Sequence, residues 1–510
     1  MAIGLDIGSS SVKAIRLEGS GRAVGTARRA IRTRTAPGGR AEHDAEAIFR
    51  AARDTLEEAA GGRKGEPLGI ATQRSTVLFW DPATGRALTP AYSWQDRRGQ
   101  ALCARLGPEA AGRIAARTGL RLSPHYSASK LAWALRHVRG LARRVSSGRA
   151  LWGTLGSFLA WRLSRGAIYA VDHANAQRTL LLDLDALAWD ADLFDLFGLR
   201  PLLDAPALPA LLPTIPGEAL PLASGSATFR LAAWTGDQQA ALIGAGCRVP
   251  GGIAINYGSG AFVLRHVGRD PRRVRGLLTS LLASWRRNTR APSGSTTEAR
   301  YAVEGTVNAA ATALAWLERR LGRRVPVRAL DRFMAPALEG APRLHFLPAV
   351  SGLGAPRWDP GARPFFAGDA RGATGPDRMR AVVESIACRC AEILRAAEAA
   401  GSPSGGGGRE ARGAPVVVAG GLTLCRTLVQ AQADLLKRPV VVRDLPDATG
   451  LGAALLASRG AAALETPSAR GGGRGVVVRP RLRPSEAEAR YRAWVKAVYA
   501  TGRQRGRAGG

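Results

Sequence analysis

The stretch Gly4-Leu5-Asp6-Ile7-Gly8-Ser9-Ser10-Ser11-Val12-Lys13-Ala14-Ile15 decides how this chain is read. Residues 2–7 form a short apolar run of strand character. Gly8 to Ser11 break it with a Gly/Ser-rich turn, and Val12 to Leu17 form a second strand. The spacing predicts a hairpin. A second strand–turn–strand unit, IAINYGSGAFVLRHV, occupies 253–267, and its Gly258 lies 258 − 8 = 250 residues after Gly8. Two such units heading two halves of the chain suggest two related domains.

Outward from these hairpins the chain mixes strands and helices. LGIATQRSTVLFW (68–80) reads as another strand pair, closed by the turn Asp81-Pro82-Ala83-Thr84-Gly85. Helical spacing of Ala, Leu and Trp runs through 43–61, 99–118, 127–147, 303–320 and 377–399. Val416 to Val418 form a strand that meets Gly420-Gly421, and Thr427 to Leu436 continue as a helix. Such mixing in both halves predicts an α/β protein. Three Gly- and Arg-rich segments, 401–413, 467–475 and 501–510, read as exposed insertions or tails.

Composition removes several classes. The 510 residues are 46% hydrophobic and 22% charged, a globular balance. The net charge of +33 invites a polyanion partner, but only five of the 73 basic residues are lysines. So lopsided an Arg usage, beside abundant Ala and Gly, points to compositional bias, and no specific nucleic-acid partner is expected. No run of about 18 apolar residues exists, so no membrane span is expected. The start carries no basic segment ahead of an apolar one, so no secretory signal is expected. Five cysteines (103, 247, 388, 390, 425) form no CxxC, which predicts neither disulfides nor zinc and suggests a cytoplasmic protein. No G-x-x-x-x-G-K-[ST] loop, HRD or DFG occurs.

Four places carry candidate chemistry. At Asp6 a carboxylate ends a buried strand before Gly8, Ser9, Ser10 and Ser11. Backbone N–H groups of a Gly/Ser turn can approach an anion, and the carboxylate can hold Mg²⁺ through water; an ordinary turn is the other reading. Asp237, in Trp234-Thr235-Gly236-Asp237-Gln238-Gln239, opens an apolar helix. It reads either as an N-cap or as a general base with Gln238 positioning a substrate. Gln73-Arg74-Ser75-Thr76 and Trp94-Gln95-Asp96-Arg97-Arg98 follow strands, and fit a polyol pocket or a solvated turn equally. Gly450-Leu451-Gly452 lacks the third glycine of a dinucleotide fingerprint and reads as a helix start.

Together, in order, these pieces resemble the FGGY carbohydrate kinases, and among them the glycerol kinases. The resemblance spans about residues 2–460. GLDIGSSSVKAI resembles the first phosphate motif and NYGSGAFVL (256–264) the second. EHDAEAI (42–48), GIATQRSTVLFWDPATG (69–85), YSWQDRR (92–98), TGLRLSPHYSASKLAW (118–133) and DHANAQRTLLLDL (172–184) continue the match. TGDQQAAL (235–242) is the most specific piece. YAVEGTVNAAATALAWL, FLPAVSGLGAPRWDP and VVVAGGLTLCRTLVQAQADLL complete it.

The resemblance implies two ribonuclease-H-like domains of the actin/hexokinase type with an active-site cleft between them. The expected divisions are 1–245, 246–465, and a Gly/Arg-rich linker and C-terminal segment at 466–510. It implies transfer of the ATP γ-phosphoryl to a primary hydroxyl of a polyol or sugar. Asp237 is then the expected base, and Gln73, Arg74, Ser75, Trp94, His125 and Gln238 the expected substrate contacts. Gly8–Ser11, Gly258-Ser259-Gly260, Gly420-Gly421 and Cys425 are expected around ATP, and Asp6 near Mg²⁺. Association into a homo-oligomer is left open.

The chain also departs from glycerol kinases. Those enzymes usually show Gln-Arg-Glu where Gln73-Arg74-Ser75 stands, and Ser-Pro-Tyr where Ser123-Pro124-His125 stands, with Tyr126 next. Ser75 enlarges the pocket, so a longer polyol or a ketose such as xylulose or ribulose is an alternative acceptor. Ala311, Ala315 and Cys425 alter the nucleotide side. The segment before Asp237 lacks the Gly-Gly-Thr-Arg piece tied to sugar-bisphosphate control, so no such inhibition is expected. A catalytically silent regulatory member is a further reading, opposed by the retained Asp6 and Asp237.

Overall fold

A computed structural model describes residues 1–19, 23–288, 295–399, 416–443, 447–465 and 475–500. Two sheets organise them. The first runs Leu220–Ser224, Ala227–Gly236, Glu66–Thr72, Ala2–Ile7, Ser11–Leu17, Ala23–Ala30. The second runs Leu278–Asn288, Ser295–Val307, Ala261–Gly268, Ile253–Tyr257, Val416–Ala419, Val440–Val442, Val476–Val478. Each sheet contains one of the two Gly-turn hairpins, antiparallel as the sequence suggests. In each, the first hairpin strand lies parallel to a later strand, with Ile7 beside Thr72 and Asn256 beside Ala419. The turns after Ile7, Thr72 and Gly236 therefore gather at one sheet edge. In open α/β sheets, that carboxyl edge is where ligands bind.

Several elements differ from their sequence reading. Glu66–Thr72 and Val77–Trp80 are not a hairpin: the first belongs to the six-stranded sheet. The second belongs to a five-stranded sheet with Arg34–Ala36, Arg40–His43, Ala91–Tyr92 and Leu151–Thr154. Gln73–Thr76 cross between them, and Ser75 makes the turn at a positive φ of 65°. Residues 303–307 are strand rather than helix, because they pair with the Ala261–Gly268 strand; the helix starts at Ala311. Gly140, at φ 73°, splits 127–147 into the helices Ser127–His137 and Leu141–Ser146. Gly107 kinks Gln100–Thr118.

The segment read as linker and tail is in part folded. Val476–Val478 pair antiparallel with Val440–Val442, and the helix Pro484–Val495 buries Trp494 in the second core. Its Glu488 meets Arg395 at 2.9 Å and Lys437 at 2.8 Å. An apolar residue every three to four positions was the helical signal there, hidden by flanking Arg. The insertions 401–413 and 501–510, and 467–474 of the third, lie outside the described residues.

The two halves join through the helix Ala448–Arg459, which packs on the first sheet and on the helix Asp237–Gly244. Glycine is required at this crossing. A Cβ on Gly4 would lie 1.9 Å from the Gly450 carbonyl oxygen, and one on Gly452 would lie 1.9 Å from that of Ala240. Gly450 and Gly452 thus sit inside the helix, where their missing side chains permit backbone contact. A polar seam supports the same junction. Gln177 Nε2 donates to the Thr279 carbonyl at 2.7 Å, and its Oε1 accepts from Leu281 N at 2.9 Å.

Candidate active site

The first Gly/Ser turn is closed by Gly8 N donating to the Ser11 carbonyl at 3.1 Å. Ser9 is half-buried, Ser10 exposed, and Ser11 buried within its strand. Gln73 lies beneath the turn. Its N donates to the Ile7 carbonyl at 2.7 Å and its Nε2 to the Gly8 carbonyl at 3.2 Å. Its Oε1 meets Thr76 Oγ1 at 3.1 Å and His43 Nε2 at 3.2 Å. The Gln73 amide is therefore spent on protein groups. The structure places it as a support of the turn.

Asp6 precedes this turn. Burial, then the nearby charge of Asp237, pushes its pKa up to about 7. Lys13 Nζ, on the second hairpin strand, lies 3.2 Å from Asp447 Oδ1 at the start of the Ala448–Arg459 helix.

Asp237 follows the strand Ala227–Gly236 directly. The N-cap position belongs to Gly236, so the capping reading of Asp237 does not hold. Its Oδ1 accepts from Gln238 N at 2.8 Å and lies 3.4 Å from Arg74 Nε. Burial raises its pKa and the Arg74 charge opposes that rise. Gln238 is half-buried beside it.

Arg74 has a second partner from the other half of the chain. Its two terminal nitrogens donate to Glu304 at 2.9 and 3.0 Å. Glu304 also accepts from Arg178 at 2.7 Å and from Ser280 Oγ at 3.0 Å. The two guanidinium groups hold this buried carboxylate far below the usual range. Tyr126 is buried with Arg178, Glu304 and Arg74 near its phenol.

Trp94 is exposed, and its Nε1 donates to Ser9 Oγ at 2.8 Å, joining the aromatic to the first turn. His125 Nδ1 lies 3.1 Å from the Trp94 carbonyl, and the rings sit 6.4 Å apart. Ser75 is buried, with its carbonyl accepting from Lys130 Nζ at 2.7 Å. Arg74, Ser75, Trp94, His125, Asp237 and Gln238 are thus linked through one set of contacts.

The second turn is closed one residue more tightly than the first. Gly258 N donates to the Gly260 carbonyl at 2.8 Å, and the Ser259 carbonyl accepts from Ala310 N at 2.8 Å. Gly258 and Ser259 are exposed. Gly420, at φ 99°, packs so closely on Tyr257 that a Cβ would lie 2.3 Å from its carbonyl oxygen. Gly421 has open space above it. Cys425 is buried and its thiol faces Asp331 Oδ1 at 3.5 Å, with its pKa pushed up to about 12 by burial. The neighbouring Leu424 is exposed.

Glu304, Arg178, Tyr126 and Lys130 were not singled out from the sequence. A charged residue inside an otherwise apolar strand, as in YAVEGTV, was the available signal. Buried charges are retained only with partners.

Family models for the FGGY family of carbohydrate kinases match this chain at residues 1–244, as the N-terminal domain, and 253–461, as the C-terminal domain. The chain belongs to the FGGY family of carbohydrate kinases. Within that family it is similar to a glycerol kinase of Bordetella parapertussis, 38% identical over 89% of this chain and 87% of the relative. A glycerol kinase of Thermus brockianus is 37% identical over 97% of each. Among solved structures, the fold matches a Plasmodium falciparum glycerol kinase with ADP at a TM-score of 0.84. That match has 24% identity and covers 98% of this chain and 97% of that one. A xylulose kinase from Rhodospirillum rubrum matches at a TM-score of 0.80, with 22% identity and 98% coverage of both. The FGGY fold, two α/β domains of the actin/hexokinase type, agrees with the expectation from sequence. No helix among the described residues is long and apolar enough to cross a membrane.

Proposed function

We propose that this FGGY kinase transfers the γ-phosphoryl of ATP to a primary hydroxyl of glycerol or a related polyol, with Asp237 as general base. The carrying observation is Asp237 itself. It is the first residue of a helix at the carboxyl edge of the sheet, with a fixed cation, Arg74, at 3.4 Å. Burial makes it more basic than a solvated carboxylate, and the Arg74 charge opposes that rise. It accepts the hydroxyl proton as the oxygen attacks phosphorus. Arg74, Trp94, His125 and Gln238 surround the acceptor, the Trp94 ring packing its C–H side.

Phosphoryl transfer depends mainly on positioning and charge stabilisation. The turns at Gly8–Ser11 and Gly258–Gly260 supply N–H dipoles for the phosphates, and Gly420-Gly421 borders the nucleoside. Gln73 holds the first turn in place. Mg²⁺ suits the chemistry of Asp6. A buried carboxyl pushed up to about 7 beside a second carboxyl favours a cation, and Mg²⁺ is commonly held by one or two carboxylates plus substrate phosphates. When bound, the ion offsets phosphate charge. We place the domain division at 245/246, in line with the shared motifs.

Ser75 favours one second reading. Where glycerol kinases carry a glutamate, this chain has a small side chain and more room, which suits a ketose or a longer polyol. An ATP-consumption screen over glycerol, erythritol, xylitol, ribulose, xylulose and gluconate separates the two. ATP use with none of them would overturn the kinase reading in favour of a catalytically silent member.

A further inference from the structure

Lys130 lies in the helix Ser127–His137, fully buried. Its Nζ donates to three backbone carbonyls: Ser75 at 2.7 Å, Ser93 at 2.9 Å and His125 at 2.8 Å. Those residues lie 55, 37 and 5 positions away in sequence. An ammonium has three donors and no acceptor, so its capacity is filled. Among the described residues no carboxylate is bonded to it; the nearby Asp96 is committed to Arg98, at 2.8 Å. An ammonium buried without an ion pair is costly and needs a compensating role.

The three carbonyls belong to the three segments that line the acceptor side. Ser75 follows Arg74, the cation beside Asp237. Ser93 precedes Trp94, and His125 supplies its own ring. Ser75 adopts φ 65°, a left-handed conformation that a serine rarely takes, and the bond to Lys130 holds its carbonyl there.

We propose that Lys130 is the positioning residue of the acceptor pocket: its ammonium sets the backbones of Ser75, Ser93 and His125 in one arrangement, so that Arg74, Trp94 and His125 meet the acceptor together. This rests on the acceptor pocket proposed above. Lys130 touches no reacting atom; it acts through these backbones. Three donors are needed for three carbonyls. A neutral group with two donors leaves one segment unheld, and a planar guanidinium cannot aim its N–H groups as an ammonium does.

The test uses the full chain with Lys130→Met and Lys130→Gln, ATP, and whichever screened acceptor the wild type turns over, glycerol first. Lys130→Met raises the acceptor KM by roughly 10- to 100-fold, the scale of a misplaced binding group, while the ATP KM stays within about two-fold. Lys130→Gln, which keeps two donors, falls between, and decides the matter if the Met variant does not fold. A merely structural lysine would lower the melting temperature without splitting the two KM values. An unchanged acceptor KM, or equal changes in both, overturns the inference while leaving the kinase reading intact. A wild type that phosphorylates no acceptor overturns both.

Discussion

Arg74 and Glu304 come from different domains, yet the guanidinium donates to both oxygens of the carboxylate, at 2.9 and 3.0 Å. The same Arg74 reaches toward Asp237 with its Nε, at 3.4 Å. A strand of the second domain thereby braces the cation beside the proposed base. Glu304→Gln leaves Arg74 and Arg178 without their shared anion. Breaking a buried pair of this kind costs about 3–5 kcal/mol. A lowered melting temperature is expected, with kcat reduced along with it, since Arg74 is no longer held. Thermal denaturation and steady-state kinetics check this. An unchanged melting temperature would contradict it.

Asp237→Asn keeps the shape of the site and removes the base. Turnover is expected to fall by about 10²–10⁴-fold, while ATP still protects the protein against thermal unfolding. Near-normal turnover of the purified variant would remove Asp237 from the mechanism.

Asp6 predicts a pH dependence of stability. Its folded pKa is raised to about 7 from 3.8. Between those values the folded state holds a proton that the unfolded state has lost. The folded state therefore binds more protons, and stability from this group falls as pH rises from about 4 to 7, by at most about 1.4 kcal/mol per unit. Below 4 both states are protonated and the slope vanishes. Asp172, also raised to about 7, acts in the same direction. The difference between wild type and Asp6→Asn isolates Asp6. Melting curves from pH 5 to 8 should fall less steeply for the variant, and parallel curves would refute the assignment.

Gly452→Ala drives a methyl toward the Ala240 carbonyl oxygen, 1.9 Å from the ideal Cβ position. Overpacking typically costs about 1–3 kcal/mol, and here the neighbour is backbone that cannot rotate away. The melting temperature is expected to drop. Gly421→Ala has no atom within 4 Å and should leave it unchanged. Equal effects would mean that the helix crossing is looser than its geometry.

Gln73 separates two roles that the sequence merges. Its Nε2 and Oε1 bind the Gly8 carbonyl and Thr76, below the first turn. Gln73→Leu is expected to raise the ATP KM more than the acceptor KM. The opposite ordering in initial-rate kinetics would return Gln73 to the acceptor.

Much of this protein is legible without coordinates because its signals are local. The Gly/Ser turns between apolar runs at 4–15 and 253–267 specify hairpins by turn chemistry alone. The TGDQQAAL stretch marks a helix start with a carboxylate at it. Local patterns misled where a pairing partner was distant. Residues 303–307 carry apolar spacing that suits a helix, and only the neighbouring Ala261–Gly268 strand makes them β. Gln73 looks like a pocket amide until Ile7 and Gly8 are seen above it.

The sequence by itself determined the α/β class, the paired hairpins and the identity of Asp6, Arg74 and Asp237 as candidates. Each follows from periodicity, turn residues or motif order along a short window. Only the tertiary structure decided that Glu304 and Arg178 brace Arg74, that Cys425 turns to Asp331, and that Lys130 gathers three backbones. The physical reason is that these contacts join residues far apart in the chain. Several end on backbone carbonyls, which every residue carries and no side-chain pattern reveals.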